Sequence, residues 1–258
     1  ITGSGTINGQ GAHQNFQHGN DSKGGPRRPK IIYFIGCNNV RVQDVTLRNS
    51  AYWTQDYEKC NGVIVRGVKV YSHANWNNDG LDIDSRNVVV SDCYIDCDDD
   101  ALCLKSDTDT PCENVTVTNC VLKSNCNAIK FGTSSYSGFK NVTISNCTID
   151  RASEDHIRQW YKNYPWIGTK HKTVVAGIAL ESVDGGIIEN VSISDIAMQG
   201  VQTPIFVRLG DRKRTFSKQM SRINDVMISR IIARSEGKIA CSITGCLLYT
   251  SPSPRDRS

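Results

Sequence analysis

No stretch of the chain approaches eighteen consecutive apolar residues, so no segment qualifies as a transmembrane helix. The chain does not open on a signal peptide either. Its first eleven residues have no basic start and no apolar core, and they read as the middle of a fold. The natural N-terminus is therefore expected further upstream. Helical periodicity is missing, since no long stretch places apolar residues at i, i+3, i+4 and i+7. Histidine is scarce, five in all, and His156 and His171 lack metal-ligand spacing, so no zinc site is expected. Excess charge of one sign is slight: 30 Lys and Arg against 26 Asp and Glu leave a net +4. Basic clusters at Arg27, Arg28 and Lys30 and at Arg212, Lys213 and Arg214 suit an acidic polymer, though so small an excess equally describes a solvated face. No nucleic-acid-binding motif accompanies them, and no nucleic-acid partner is expected.

The chain does hold eleven cysteines, yet 258 residues need no disulfide scaffold to fold. Cys93, Cys120 and Cys147 recur every 27 residues, each closing a run of the form N-V-x-[VI]-[ST]-[DN]-C. Free cysteine behaves as a small hydrophobe, so these three are expected as a buried, reduced row in consecutive coils.

That recurrence belongs to a larger repeat. NNVRVQDVTL, NGVIVRGVKV, RNVVVSDCYI, ENVTVTNCVL, KNVTISNCTI, ENVSISDIAM and NDVMISRIIA are variants of one unit, their second residues at 39, 62, 87, 114, 141, 190 and 225. The gap from 141 to 190 is expected to hold an extra unit around Val175–Glu181. Within each unit β-branched apolar residues alternate with polar ones, the period of a half-buried strand. A unit this short cannot close a core and must stack on its neighbours, with strands pairing in parallel about 4.8 Å apart. A single-domain, all-β parallel β-helix follows. Leucine-rich repeats share the period, but their leucine pattern is absent.

Asn39, Asn87, Asn114, Asn141 and Asn190 share one turn position. Asparagine tolerates left-handed backbone there, and stacked amides can hydrogen-bond along the axis. Several also match N-x-[ST], a pattern that the repeat itself generates. From about Gly245 the pattern stops at GCLLYTSPSPRDRS, which resembles translated sequencing-adapter DNA. The β-helical unit is therefore expected over 1–245 and a non-native tail over 246–258, in a chain truncated at both ends.

A β-helix offers a long flat face for an extended polymer without saying which polymer, or whether it is cut. Chemistry must come from a site, and aspartates crowd two consecutive coils. Asn77-Asn78-Asp79-Gly80-Leu81-Asp82-Ile83-Asp84 is followed by Asp98-Asp99-Asp100-Ala101-Leu102-Cys103-Leu104-Lys105. Asp79 and Asp99, 20 residues apart, are expected as stacked neighbours whose carboxylates fan to the roughly 6.5–9.5 Å of inverting glycosidases. Crowded carboxylates cannot all ionise, so one is driven to hold a proton. Catalysis, a calcium site and turn capping all remain open from spacing alone.

Asn77-Asn78-Asp79-Gly80 resembles the N-T-D-G motif of the polygalacturonase family, glycoside hydrolase family 28. Asp98-Asp99-Asp100-Ala101 with Lys105-Ser106 resembles its G-D-D-C…K-S segment. Arg28-Pro29-Lys30-Ile31-Ile32, Ser50-Ala51-Tyr52-Trp53-Thr54 and Phe131-Gly132-Thr133 also fall where that family has similar residues, so the resemblance covers roughly 1–234. It implies a right-handed, pectin-lyase-like β-helix and an inverting hydrolase of galacturonic-acid-containing pectic polysaccharide. In that reading Asp99 is the general acid, and Asp79 and Asp100 activate the water. Both Asp99 and Asp100 reach one site only if the strand bends or ends between them. No cofactor and no catalytic metal are implied. A secreted or periplasmic monomer is expected.

Two departures bear on substrate. The family's G-H-G motif aligns with Cys126-Asn127-Ala128, and its R-I-K motif with Ala179-Leu180-Glu181. Losing two cations and gaining an acid should weaken galacturonate binding there. Such changes look like a bacterial branch of the family, for which a mixed backbone such as rhamnogalacturonan is a plausible substrate. Asn77, Asn127, Lys130, Glu181 and Arg208 are the candidate substrate-binding residues, with Arg212 a further source of positive charge. The aromatics of His156–Lys172 suit sugar stacking or packing back on the coil equally well. A calcium-dependent β-helix lyase, with Lys105 the one nearby base, and a non-catalytic glycan-binding β-helix are the alternatives.

Overall fold

A computed structural model of the chain describes residues 1–16, 28–154, 174–214, 219–235 and 241–245. The proposed tail and the aromatic segment His156–Lys172 lie outside the described residues. Among those described are seventeen strands, one 3-10 turn at Gln14–Phe16 and no α-helix. The ladders between strands are parallel, each joining a strand to one a coil earlier or later.

The repeat register is the one the sequence implies. Val40 pairs with Val63, Val63 with Val88, Val88 with Val115, Val115 with Val142, Val142 with Val191 and Val191 with Val226. This valine column runs down the interior, buried from Val40 to Val191 and partly buried at Val226. A branched side chain fits a pleated surface, and stacking removes both of its flanks from water, worth roughly 1.5–3 kcal/mol for each fully buried valine.

Each coil turns at two left-handed positions that bracket this strand. The first holds Asn39, Gly62, Asn87, Asn114, Asn141 and Asn190, with φ between 53° and 77°. The expected amide ladder is present: Asn87 donates to Asn61, Asn114 to Asn87, Asn141 to Asn114 and Asn190 to Asn141, at 2.7–3.0 Å. The second bend holds Asp44, Gly67, Asp92, Asn119, Asn146 and Asp195, with φ between 54° and 63°. One residue further on, Val45, Val68, Cys93, Cys120 and Cys147 stack, the last against Ile196. The three thiols are buried and unpaired and replace apolar side chains in the column. Each donates to the carbonyl two residues back at 3.2 Å.

The expected extra unit is not an extra coil. Val142 pairs directly with Val191, so the coil beginning at Asn141 is followed immediately by the one beginning at Asn190. Val174–Ser182 is another face of that same coil, paired to Asn127–Ser135 on one side and to the 201–209 stretch on the other. The 49-residue spacing therefore adds no coil, and the register on either side of it is continuous.

Candidate active site

A third face consists of residues 55–58, 81–84, Leu102–Ser106, Asn127–Ser135 and Val174–Ser182 in succession. Each coil enters it through a wide turn, and those turns carry the site. Thr54 N–H donates to Asp79 C=O, Gly80 N–H to Asp100 C=O, and Ala101 N–H to Asn127 C=O, at 2.8–2.9 Å. In this register Thr54, Gly80, Ala101 and Ala128 are partners, and Trp53, Asp79, Asp100 and Asn127, one residue earlier, stack in consecutive coils. A β-carbon on Gly80 would lie 2.2 Å from Ile95 Cγ2 and 2.7 Å from Ala101 O, so only glycine lets these turns approach.

Asp79 therefore stacks on Asp100, not on Asp99 as the sequence spacing led one to expect. The strand register explains the shift: Leu81 pairs with Leu102, 21 residues on, and two residues back into the turn the same offset sets Asp79 on Asp100. The chain is out of strand conformation from Asp98 to Ala101, and this bend lets Asp99 and Asp100 face one site. Ligand atoms of Asp79, Asp100 and Cys103 lie within 4.8 Å of one another, as do those of Asp99, Asp100 and Cys126. Direct stacking sets the first spacing, since neighbouring parallel strands are about 4.8 Å apart.

Asp79, Asp99 and Asp100 are each at most 5% exposed. Asp99 accepts from Asp100 N–H on Oδ1 at 3.0 Å and from Asn77 Nδ2 on Oδ2 at 3.3 Å. Asp100 is the most heavily partnered: Asn127 donates from its backbone N–H and its amide to Oδ1, at 3.2 and 2.7 Å, and Lys130 Nζ reaches Oδ2 at 2.8 Å. Lys105 Nζ lies 3.6 Å from Asp79 Oδ2 and 3.1 Å from Asp82 Oδ1. Asp79 Oδ1 has no hydrogen-bond partner among the described residues.

Burial raises the Asp79 carboxyl well above the usual carboxylate range, Asp99 and Asp82 push the same way, and Lys105 opposes. Asp82, fully buried, is pushed up to about 7 by burial against the pull of Lys105. Burial disfavours charge on Lys105 and Lys130, yet the acids outweigh it and hold both ammonium groups above their ordinary range. The cluster thus retains a proton near neutrality beside fixed positive charge.

Three of the five candidate binding residues, Asn77, Asn127 and Lys130, converge on these carboxylates. Glu181 lies in the next coil, where Ala179 pairs with Lys130, and Arg208 lies one coil further, paired with Glu181. Burial raises Glu181, while Lys130, Arg208 and Arg212 hold it down. Arg212 itself is engaged elsewhere, clasping the fully buried Asp184 and the Thr133 carbonyl. Asp82, Lys105, Lys30 and Trp53, which the sequence set in the acidic run or in family-like segments but not among the catalytic or binding candidates, also belong to the site. Lys105 and Lys30 lie 4.3 and 4.4 Å from the Trp53 ring, and Lys30 pairs with Asp56. The signal for the two lysines was an aspartate in an adjacent coil, Asp56 after Lys30 and Asp82 before Lys105.

The acid–thiol groupings have donors that could hold a metal ion. Lys105 sits 3.4 Å from Cys103 Sγ and Lys130 occupies Asp100, so ammonium groups already supply cationic charge there.

The model of Glycosyl hydrolases family 28 matches residues 1–246. The chain belongs to that family. A probable polygalacturonase of Arabidopsis thaliana is 34% identical over 110 residues, 42% of this chain and 23% of that protein. A second Arabidopsis thaliana polygalacturonase is 24% identical over 225 residues, 82% of this chain and 45% of that protein. The chain thus spans less than half the length of these relatives. Among solved structures, a family 28 exopolygalacturonase of Yersinia enterocolitica superposes with a TM-score of 0.57 at 19% identity, covering 81% of this chain and 35% of that one. Endopolygalacturonase I of Stereum purpureum superposes at 0.54 and 12% identity, covering 93% and 77%. These likenesses establish the fold shared with family 28 and leave the chemistry to the side chains.

Proposed function

We propose that this family 28 chain is a glycosidase that hydrolyses galacturonic-acid-containing pectic polysaccharide. The observation that carries the reading is the convergence of three buried aspartates with two lysines on one turn of the stacked face. Asp99 is the general acid that protonates the leaving oxygen. Asp79 and Asp100 flank the attacking water, with Asp79 Oδ1 as the free acceptor. Asn127, in place of the family's histidine, and Lys130 hold Asp100 in one orientation. Asn77 holds Asp99, and Glu181 with Arg208 meets the next sugar along the face.

A carboxylate at Glu181 is a poor neighbour for a galacturonate and a good acceptor for a sugar hydroxyl. A backbone in which a neutral sugar alternates with galacturonate, as in rhamnogalacturonan, fits better than homogalacturonan. The coils wind right-handed, as parallel crossovers do in about 98% of cases. The β-helical unit occupies 1–245, with 246–258 outside it. The chain acts without cofactor as a secreted or periplasmic monomer on polysaccharide, with no nucleic-acid or membrane partner.

The family motif implies inversion. A retaining, covalent route would instead need acid and nucleophile carboxyl groups roughly 5–5.5 Å apart. Incubation with homogalacturonan and with rhamnogalacturonan, product sizing and proton NMR of the first-formed anomer decide between them. Saturated ends with inverted configuration are expected. Unsaturated ends would mean a lyase, and absence of cleavage a binding module. Asp99→Asn should lower kcat by roughly 10²–10⁴-fold; near-normal turnover would remove Asp99 from the acid role.

A further inference from the structure

Arg28 precedes the first strand of its coil and belongs to no ladder, yet it is only 4% exposed. Its Nη1 donates to Ala51 O at 3.1 Å, Asn75 Oδ1 at 3.3 Å and Trp76 O at 2.5 Å. Its Nη2 donates to Asn77 Oδ1 at 3.1 Å. The guanidinium also lies 4.8 Å from the Tyr52 ring centroid and 5.7 Å from that of Trp76. Four contacts from one side chain therefore gather the turn that leads into Asp79.

The contact to Asn77 has a directional consequence. A guanidinium only donates, so the Asn77 amide must present its carbonyl oxygen to Arg28. Its NH2 group is then turned the other way, and there it donates to Asp99 Oδ2 at 3.3 Å. The flipped amide would set N–H against N–H on one side and oxygen against carboxylate on the other. Asp99 Oδ1 is already held by Asp100 N–H, so the Asn77 bond restrains the remaining rotation of this carboxyl.

We propose that Arg28 is a positioning residue for the reaction, acting through Asn77 to hold the Asp99 carboxyl in one orientation. The proposal rests on Asp99 being the proton donor. A clasp that merely closed the turn would need only the carbonyls of Ala51 and Trp76. The Nη2 contact with Asn77 links the clasp to the acid. A planar fork is required, because a lysine ammonium cannot reach Trp76 and Asn77 from one rigid plane.

The test compares Arg28→Lys, Asn77→Gly, the double variant and Asp99→Asn in the full chain, by kcat, KM and melting temperature. Asn77 has φ 51°, which glycine accepts, so Asn77→Gly removes the amide while leaving the Arg28 clasp on Ala51 and Trp76. Each single variant should lose roughly 10–100-fold in kcat with KM changed less than about threefold, as expected for a misaligned catalytic group. Because the two residues act in series, the double variant should lose no more than about threefold beyond the worse single. Multiplying losses, or a loss confined to KM, would overturn the proposal. Should Arg28→Lys not fold, Asn77→Gly decides: a normal melting temperature with reduced kcat supports the proposal, and normal kcat overturns it. Asp99→Asn separates the two readings, since normal turnover there overturns the acid assignment and this proposal together. Exchange of the Asn77 side-chain amide protons by NMR needs no substrate. It should quicken in Arg28→Lys, and unchanged exchange would overturn the link.

Discussion

Lys105→Met offers a measurement in which pH separates a buried charge network from ordinary packing. Methionine keeps the apolar stem against Trp53, which the lysine overlies at 4.3 Å, and removes only the charge. The ammonium lies 3.1 Å from Asp82 and 3.6 Å from Asp79, in surroundings where Asp82 is wholly buried. Asp82 stands at about 7 in the folded chain against an ordinary value of 3.8. A raised acid contributes stability that is fully present below about pH 4 and lost as pH rises through about 7. At pH 5 Asp82 is neutral with or without Lys105, so the variant should lose less than about 1 kcal/mol, the cost typical of a volume-conserving swap. At pH 8 the wild type holds an ion pair, and the variant faces an uncompensated carboxylate. Breaking a buried pair costs about 3–5 kcal/mol, and protonation of Asp82 trims this to about 2–4 kcal/mol. Urea unfolding at both pH values, with m-values checked for equality, reads the difference directly. An equal loss at pH 5 and pH 8, or a larger loss at pH 5, would refute the account of Lys105 as the counter-charge.

Other outcomes test the stack and the limits of the site. Cys120→Ser should cost about 1 kcal/mol, the low end of the range for a buried hydroxyl, because Thr118 O at 3.2 Å offers it an acceptor. A thiol reagent should label Cys241 on the native chain and spare Cys93, Cys120 and Cys147 until denaturant is added; early labelling of any of the three would contradict the burial of that row. Asn114→Ala should destabilise by about 1–2 kcal/mol, since alanine lacks the short polar side chain that lets asparagine tolerate φ 55°, and Asn114→Gly, free of the β-carbon, by less; equal losses would assign the effect to the amide ladder alone. Asp92→Asn, at an exposed bend beside the cysteine row, should leave kcat within about twofold of wild type, as surface changes away from a site usually do. A larger loss would extend the site to the second bend.

The stacked parallel architecture was legible in the sequence because it rests on local chemistry. The N-V alternation recurs at every coil, and branched residues on a half-buried strand leave one face to bury. Asparagine marks the first left-handed bend for the same local reason, and Asp44, Asp92, Asn119, Asn146 and Asp195 mark the second, a row whose regularity is equally visible in the letters. Asp79, Asp99 and Asp100 were legible as a group because a repeat of this length needs far fewer acids.

Their partners were not. Which aspartate stacks on Asp79 depends on a one-residue difference in turn length, and hydrogen bonding of Gly80 to Asp100 decided it. The spacing from Asn141 to Asn190 read as room for another coil, whereas pairing assigned Val174–Ser182 to a different face of the same one. Arg28 lies 49 residues from Asn77, and Lys105 lies 23 from Asp82, so no local pattern ties either to its partner. The sequence by itself determined the repeat, its bends and the acidic cluster, all of which rest on neighbours along the chain. Register, the carboxylate spacing and the cations that balance it came only with tertiary structure, because parallel stacking joins residues a whole coil apart, and the length of each turn decides which ones meet.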